Sequence, residues 1–151
     1  MDSFFPSDLQ NSITFHIEQL DFELTQASRI QDWISTVIKQ RDCRLIQLNY
    51  IFCSDEYLHE INLEYLQHDT YTDIITFPYQ NPPIVEGDIF ISIDRVRENA
   101  QQFGVTFEQE LLRVIIHGVL HLCGQGDKSA EEQQQMRKLE DWALAFFANQ
   151  V

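Results

Sequence analysis

His117 and His121 stand four residues apart in the segment HGVLHLCGQGD, which runs from His117 to Asp127. On an α-helix that spacing puts two side chains about 40° apart around the axis and about 6 Å apart along it. Two imidazoles so placed can reach one ion at about 2.0–2.1 Å each. Both lie toward the C-terminal end of an otherwise apolar stretch, where two unmatched buried histidines would be costly. Gly124 breaks the helix and Gly126 adds a second flexible point, so the chain can fold back and bring Asp127 to a three-ligand face. Three protein ligands leave a position open for water, as catalytic sites require. The alternative is a pair of core histidines satisfied by hydrogen bonds, with Asp127 a solvated turn residue. The pair, the two glycines and the carboxylate together favour a single catalytic divalent ion. Cys123 follows His121 by two residues, points nearly the opposite way on the same helix, and stays outside the set.

A metal-bound water can lose a proton near neutral pH and act as a nucleophile, which makes the expected chemistry metal-dependent hydrolysis. Zinc peptidases of the His-Glu-x-x-His type place a general base directly after the first histidine. Here that place is Gly118. Either the metal alone activates the water or a base arrives from elsewhere. Asp73, Glu86 and Asp88 are the candidates, unranked by sequence, and each reads equally as a surface acid.

The elements that must position this segment follow from periodicity. Ile13–Ile17 alternates apolar and polar residues and reads as a strand. Residues 27–39 place Ile30, Trp33, Ile34, Val37 and Ile38 at helical spacing. Leu45–Phe52 reads as a half-buried strand, and Ser54 offers an N-cap to a helix running to about Leu66. Asp73–Phe77 is a short strand stopped by Pro78. After the loop QNPPIVEG, Asp88–Ile93 is another, and Asp94 is expected to cap a helix ended by Gly104. Thr106 with Gln109 makes a capping-box pattern for the helix of residues 107–123, apolar on nearly every side and so expected in mid-core. Ser129 opens a last amphipathic helix burying Met136, Leu139, Trp142, Ala143, Phe146 and Phe147. The sum is one α+β domain over residues 1–151, with about four strands in a mixed sheet and about five helices.

The totals bound the class. A chain of 151 residues, 44% hydrophobic, can bury a core of its own. Cys43, Cys53 and Cys123 are odd in number and scattered, which suits reduced thiols in the cytosol rather than a disulfide framework. The start, MDSFFPSDLQ, has neither the basic nor the apolar part of a signal peptide, and no run approaches a membrane span, so a cytoplasmic location is expected. Ten Lys+Arg against 24 Asp+Glu leave a net charge of -14. Such a field repels polyanions at long range and argues against nonspecific nucleic-acid binding.

Four segments stand in order along the chain: Ile61-Asn62-x-x-Tyr65, Thr72-Asp73-Ile74-Ile75-Thr76-Phe77-Pro78, Gly87-Asp88-Ile89-Phe90-Ile91-Ser92, and His117-Gly118-x-Leu120-His121-Leu122-x-Gly124. In these the chain resembles the bacterial YbeY family of single-strand-specific, metal-dependent endoribonucleases. The resemblance implies an α+β fold, zinc as the usual ion, and action on single-stranded rRNA and ribosomal subunits in 16S rRNA 3′-end maturation and ribosome quality control. Two departures stand out. The family's histidine segment normally ends in Asp-His, and Gly126-Asp127 occupies those places, so the third ligand becomes a carboxylate. Two histidines and a carboxylate still suit zinc, and also iron(II) or another divalent ion. The family also carries an arginine directly after the tyrosine of Asn-x-x-Tyr, and here that position is Leu66. A neutral side chain cannot stabilise charge on a phosphoryl oxygen. His68, Arg95, Arg97 and Lys128 are the candidate replacements.

The leading expectation is a metal-dependent endoribonuclease in which metal-bound water attacks the phosphodiester. A metallopeptidase-like hydrolase is the rival enzyme, weakened by Gly118. A ribosome-binding module with a degenerate site is the third reading, favoured by Leu66 and the net charge.

Overall fold

The computed structural model describes residues 12–149, so the expectation drawn from the first ten residues lies outside them. Four strands form one sheet: β1 (Ile13–Glu18), β2 (Arg44–Cys53), β3 (Ile74–Pro78) and β4 (Ile84–Ser92), in spatial order β1-β2-β4-β3. β1 and β2 pair in parallel, as do β2 and β4, while β3 runs antiparallel to β4 along the edge. Five helices accompany them: α1 (Ala27–Gln40), α2 (Asp55–Leu66), α3 (Ile93–Phe103), α4 (Phe107–Leu122) and α5 (Ala130–Asn149). The architecture is the expected α+β domain with a mixed sheet.

Three boundaries differ from the sequence reading. β4 begins at Ile84 rather than Asp88, because Pro82 and Pro83 precede the strand and Gly87 is accommodated within it. α3 is capped by Ser92, whose hydroxyl accepts the Arg95 amide at 3.1 Å. Asp94 sits one residue inside that helix, and its carboxylate instead accepts the Asp55 amide at the start of α2, at 2.9 Å. β3 begins at Ile74 and includes Pro78, which an edge strand tolerates because no further strand needs its missing N–H.

The main core lies on one face of the sheet. Leu48, Tyr50 and Phe52 of β2 and Val85, Ile89 and Ile91 of β4 meet Trp33, Ile34 and Val37 of α1 and Ile115, Ile116, Val119 and Leu120 of α4. Each such side chain contributes about 1.5–3 kcal/mol by leaving water. Two polar tips are satisfied inside this core: Tyr50 OH donates to the Ile115 carbonyl at 2.9 Å, and Trp33 Nε1 donates to the Ala143 carbonyl at 2.7 Å. α2 packs on the opposite face, where Leu58 meets Cys53 and Ile75, and Tyr57 and Ile61 flank Phe77 and Phe90.

α4 starts with the expected capping box, Thr106 and Gln109 bonding each other's backbone N–H at 3.0 and 2.9 Å. Its middle lies close against the sheet at Gly118. A Cβ there would come within 2.9 Å of Ile89 Cδ1 and 3.1 Å of Ile74 Cδ1. This close approach carries the C-terminal turn of α4 out over β3.

Candidate active site

The C-terminal turn of α4 ends in a Schellman motif. The Gln125 amide donates to the Leu120 carbonyl and the Gly124 amide to His121, both at 3.0 Å, with Gly124 at a φ of 107°. The chain reverses there and enters a second capping box. Ser129 Oγ accepts the Glu132 amide at 3.0 Å, and Glu132 Oε1 accepts the Ser129 amide at 3.2 Å. The loop between the two motifs carries Asp127 back toward α4, as the two-glycine pattern predicts.

His117, His121 and Asp127 line one cavity of about 460 Å³, walled also by Asn62, Leu66, His68, Thr70, Lys128 and β3. His117 Nε2 lies 3.3 Å from Asp127 Oδ2. Two ligands held at about 2.0–2.1 Å on a tetrahedral ion stand about 3.3 Å from one another. That pair therefore has the spacing of two corners of such a site. The other nitrogen of each imidazole is engaged away from the ion position. His117 Nδ1 is 2.7 Å from Glu140 Oε2, and His121 Nδ1 is 3.3 Å from the Gln125 carbonyl oxygen. Each Nδ1 is thus engaged by a carboxylate or a carbonyl, in the manner of metal-ligating histidines, and Nε2 of His117 faces Asp127. Among the described residues, no group of three or more His, Cys, Asp or Glu side chains is drawn together to hold a metal ion as it stands. The donor chemistry fits a divalent ion; the arrangement is a set pair with a third donor on the same wall.

Burial works against charge on His117, but the hydrogen bond and charge of Glu140, with Asp127 and Asp73, outweigh it and raise its pKa from 6.5. Asp73 is itself raised, by burial first, although His117 and Arg95 pull it down. Of the three candidate bases only Asp73 is near, lining a smaller cavity on the far side of His117 with Glu110, Arg113 and Glu140. Asp88 lies on the other face of the sheet beside Tyr57, Phe77 and Tyr79, hydrogen-bonded to Tyr79 OH and to Asn49. Glu86, two residues earlier on β4, shares that face and binds Gln80 at 3.1 Å.

The candidate cations divide as cleanly. His68 and Lys128 line the cavity, and so does Leu66, whose apolar side chain stands where the resemblance leads one to expect a guanidinium. Arg95 is instead paired with Asp55 at 2.8 Å, and Arg97 lies 5.4 Å over the Phe107 ring. Asn62 plays a structural part, since its amide donates to the Thr70 carbonyl at 2.9 Å and pins the chain after α2, where His68 sits.

Sequence reasoning missed Glu140 and Arg113. The buried stripe of α5 runs Met136, Glu140, Ala143, Phe147, so an acidic residue at apolar spacing was the available signal.

A sequence profile of the family described as Endoribonuclease YbeY matches residues 12–148. The proteins named Endoribonuclease YbeY from Amoebophilus asiaticus and Flavobacterium johnsoniae are 48% and 49% identical to it, covering 93% and 89% of this chain and 95% and 96% of their own. That of Bacteroides thetaiotaomicron is 46% identical, covering 89% of this chain and 98% of its own. Among solved structures, the solution structure of TM1509 from Thermotoga maritima matches with a TM-score of 0.63 and 27% identity, covering 90% of this chain and 91% of that one. With the profile spanning nearly all the described residues and relatives this similar over nearly their whole length, the chain belongs to the Endoribonuclease YbeY family.

Proposed function

We propose that this chain is a metal-dependent endoribonuclease that cleaves single-stranded rRNA in 16S rRNA 3′-end maturation and ribosome quality control, with His117, His121 and Asp127 holding one zinc ion. Membership of an endoribonuclease family supports the reaction class. The observation that supports the site is the cavity that two imidazoles and a carboxylate line together, with Nε2 of His117 3.3 Å from Asp127 Oδ2. A divalent ion held there supplies Lewis acidity toward a phosphoryl oxygen and acidifies water at neutral pH.

The chain's own residues supply the rest. Glu140 and the Gln125 carbonyl hold the two imidazoles in orientation. Lys128 and His68 bring donors for phosphate to a wall where Leu66 brings none. These local cations act at short range against the net charge of -14, which the solvent screens beyond about 10 Å. The peptidase reading is weakened again, because Gly118 packs against Ile89 and Ile74 so closely that a Cβ there would already crowd them, leaving no room for a general base at that position.

The test is cleavage of single-stranded and duplex RNA by purified protein with and without zinc. Single-stranded RNA should be cut, chelation should stop the reaction and zinc should restore it. His117→Ala and His121→Ala should each abolish it. Cleavage that persists in the metal-free double variant would overturn the proposal. With this function the protein works in the cytoplasm on ribosomal subunits, and co-sedimentation of the tagged chain with subunits checks that part.

A further inference from the structure

We propose that Glu140 is a positioning residue that presets His117 as a metal ligand, fixing its imidazole with the proton on Nδ1 and the Nε2 lone pair toward Asp127. The inference rests on the metal site proposed above.

Glu140 is 5% exposed, in the middle of the buried stripe of α5. A carboxylate in that position needs close partners, since an uncompensated buried charge is strongly disfavoured. The two nearest are both from α4, four residues apart on one face, and Arg137 of α5 itself stands farther off, NH1 3.9 Å from Oε1. Oε1 accepts from Arg113 NH1 at 2.9 Å, and Oε2 meets His117 Nδ1 at 2.7 Å. Arg113 is anchored a second time, NH2 donating to Asp141 Oδ1 at 2.7 Å. The guanidinium therefore grips two consecutive residues of α5, and the Glu140 carboxylate cannot rotate without breaking one of its own bonds. Both flanking carboxylates can only accept, Glu140 at 2.7 Å from Nδ1 and Asp127 at 3.3 Å from Nε2, and the shorter contact places the single proton of a neutral His117 on Nδ1.

The contrast with His121 shows what this achieves. The Nδ1 of that ring has a single backbone carbonyl at 3.3 Å, on the loop that also carries Asp127. His117 is thus the rigid corner of the site, clamped between two helices and already 3.3 Å from Asp127 Oδ2.

The experiment measures zinc affinity by competition with a chromophoric chelator, alongside thermal melting without zinc. Glu140→Gln keeps the volume and removes the charged acceptor, and should weaken zinc binding about 10–100-fold. Glu110→Gln is the control. Glu110 is also buried on α4 and lines the same small cavity, but neither of the His117 ring nitrogens is hydrogen-bonded or ion-paired to it, so the zinc affinity of this variant should stay within about threefold of wild type. His117→Ala should lose binding at this site. If His117→Ala binds zinc like wild type, the metal site itself is wrong. If His117→Ala loses binding but a folded Glu140→Gln retains it, the positioning inference fails while the site stands. Imidazole nitrogen shifts of metal-free wild-type protein at alkaline pH give a test that needs no variant. A protonated Nδ1 on His117 is expected, and a protonated Nε2 would refute the inference.

Discussion

Gly118→Glu would rebuild the His-Glu-x-x-His pattern of zinc peptidases at residues 117–121, yet the packing of α4 makes it a destabilising change rather than a gain of function. A Cβ at this position would stand 2.9 Å from Ile89 Cδ1, 3.1 Å from Ile74 Cδ1 and 3.2 Å from Ile89 Cγ2. Carbon pairs rest at about 3.5–4.0 Å, so the first added atom already forces the Ile89 and Ile74 side chains to shift. Overpacking of this kind costs about 1–3 kcal/mol. The carboxyl group beyond it enters apolar contacts without a hydrogen-bond partner, adding about 1–3 kcal/mol. Replacing glycine in a helix returns under about 1 kcal/mol. The net loss is about 1–5 kcal/mol, a large part of the roughly 5–15 kcal/mol that holds a domain together. Urea unfolding followed by circular dichroism on metal-free protein reads it directly. Gly118→Ala separates the terms: with the methyl clash opposed by helix propensity, it should lose no more than about 2 kcal/mol. A Gly118→Glu variant that unfolds within about 1 kcal/mol of wild type would show that α4 can lift from β3 and β4, so that close approach does not restrict position 118.

Three further outcomes follow from the same contacts. The raised pKa of His117 stabilises the metal-free fold fully below its unfolded value of 6.5, and that stability is lost as pH rises through the folded value. Urea midpoints should fall over that range, and less steeply in His117→Gln. Lys128→Ala should weaken binding of single-stranded RNA about tenfold and flatten its salt dependence, while Leu66→Arg, adding a guanidinium to the same wall, should tighten it by a similar factor in filter-binding titrations. Tyr50→Phe removes the buried bond to the Ile115 carbonyl and should lower stability by about 1 kcal/mol in the same urea assay, without changing RNA cleavage.

Much of the frame was legible before any tertiary contact was known. The Thr106–Gln109 box, the Ser54 cap, the glycine stops at Gly104 and Gly124, and the all-round apolar character of α4 are local signals, set by backbone hydrogen bonds and side-chain periodicity within a few residues. Misread boundaries have local causes too. Pro82 and Pro83 masked the first turns of β4, and Asp94 looked like a cap because the sequence does not show that its carboxylate serves the neighbouring helix α2.

The sequence by itself determined that two imidazoles and a following carboxylate can meet one ion, because spacing along a helix and a glycine turn decide that without reference to the rest of the chain. It could not decide which charged groups stand beside them. Arg95 and Lys128 are equally cationic in the sequence, but one is tied to Asp55 and the other lines the cavity. Asp73, Asp88 and Glu86 read alike until the sheet put them on different sides of His117 and β4. Glu140, 23 residues from His117, became its hydrogen-bond partner only when α5 packed on α4. Ligand spacing is a property of one helix, whereas the field around a ligand sums over every element that packs near it, and only the tertiary structure sets those distances.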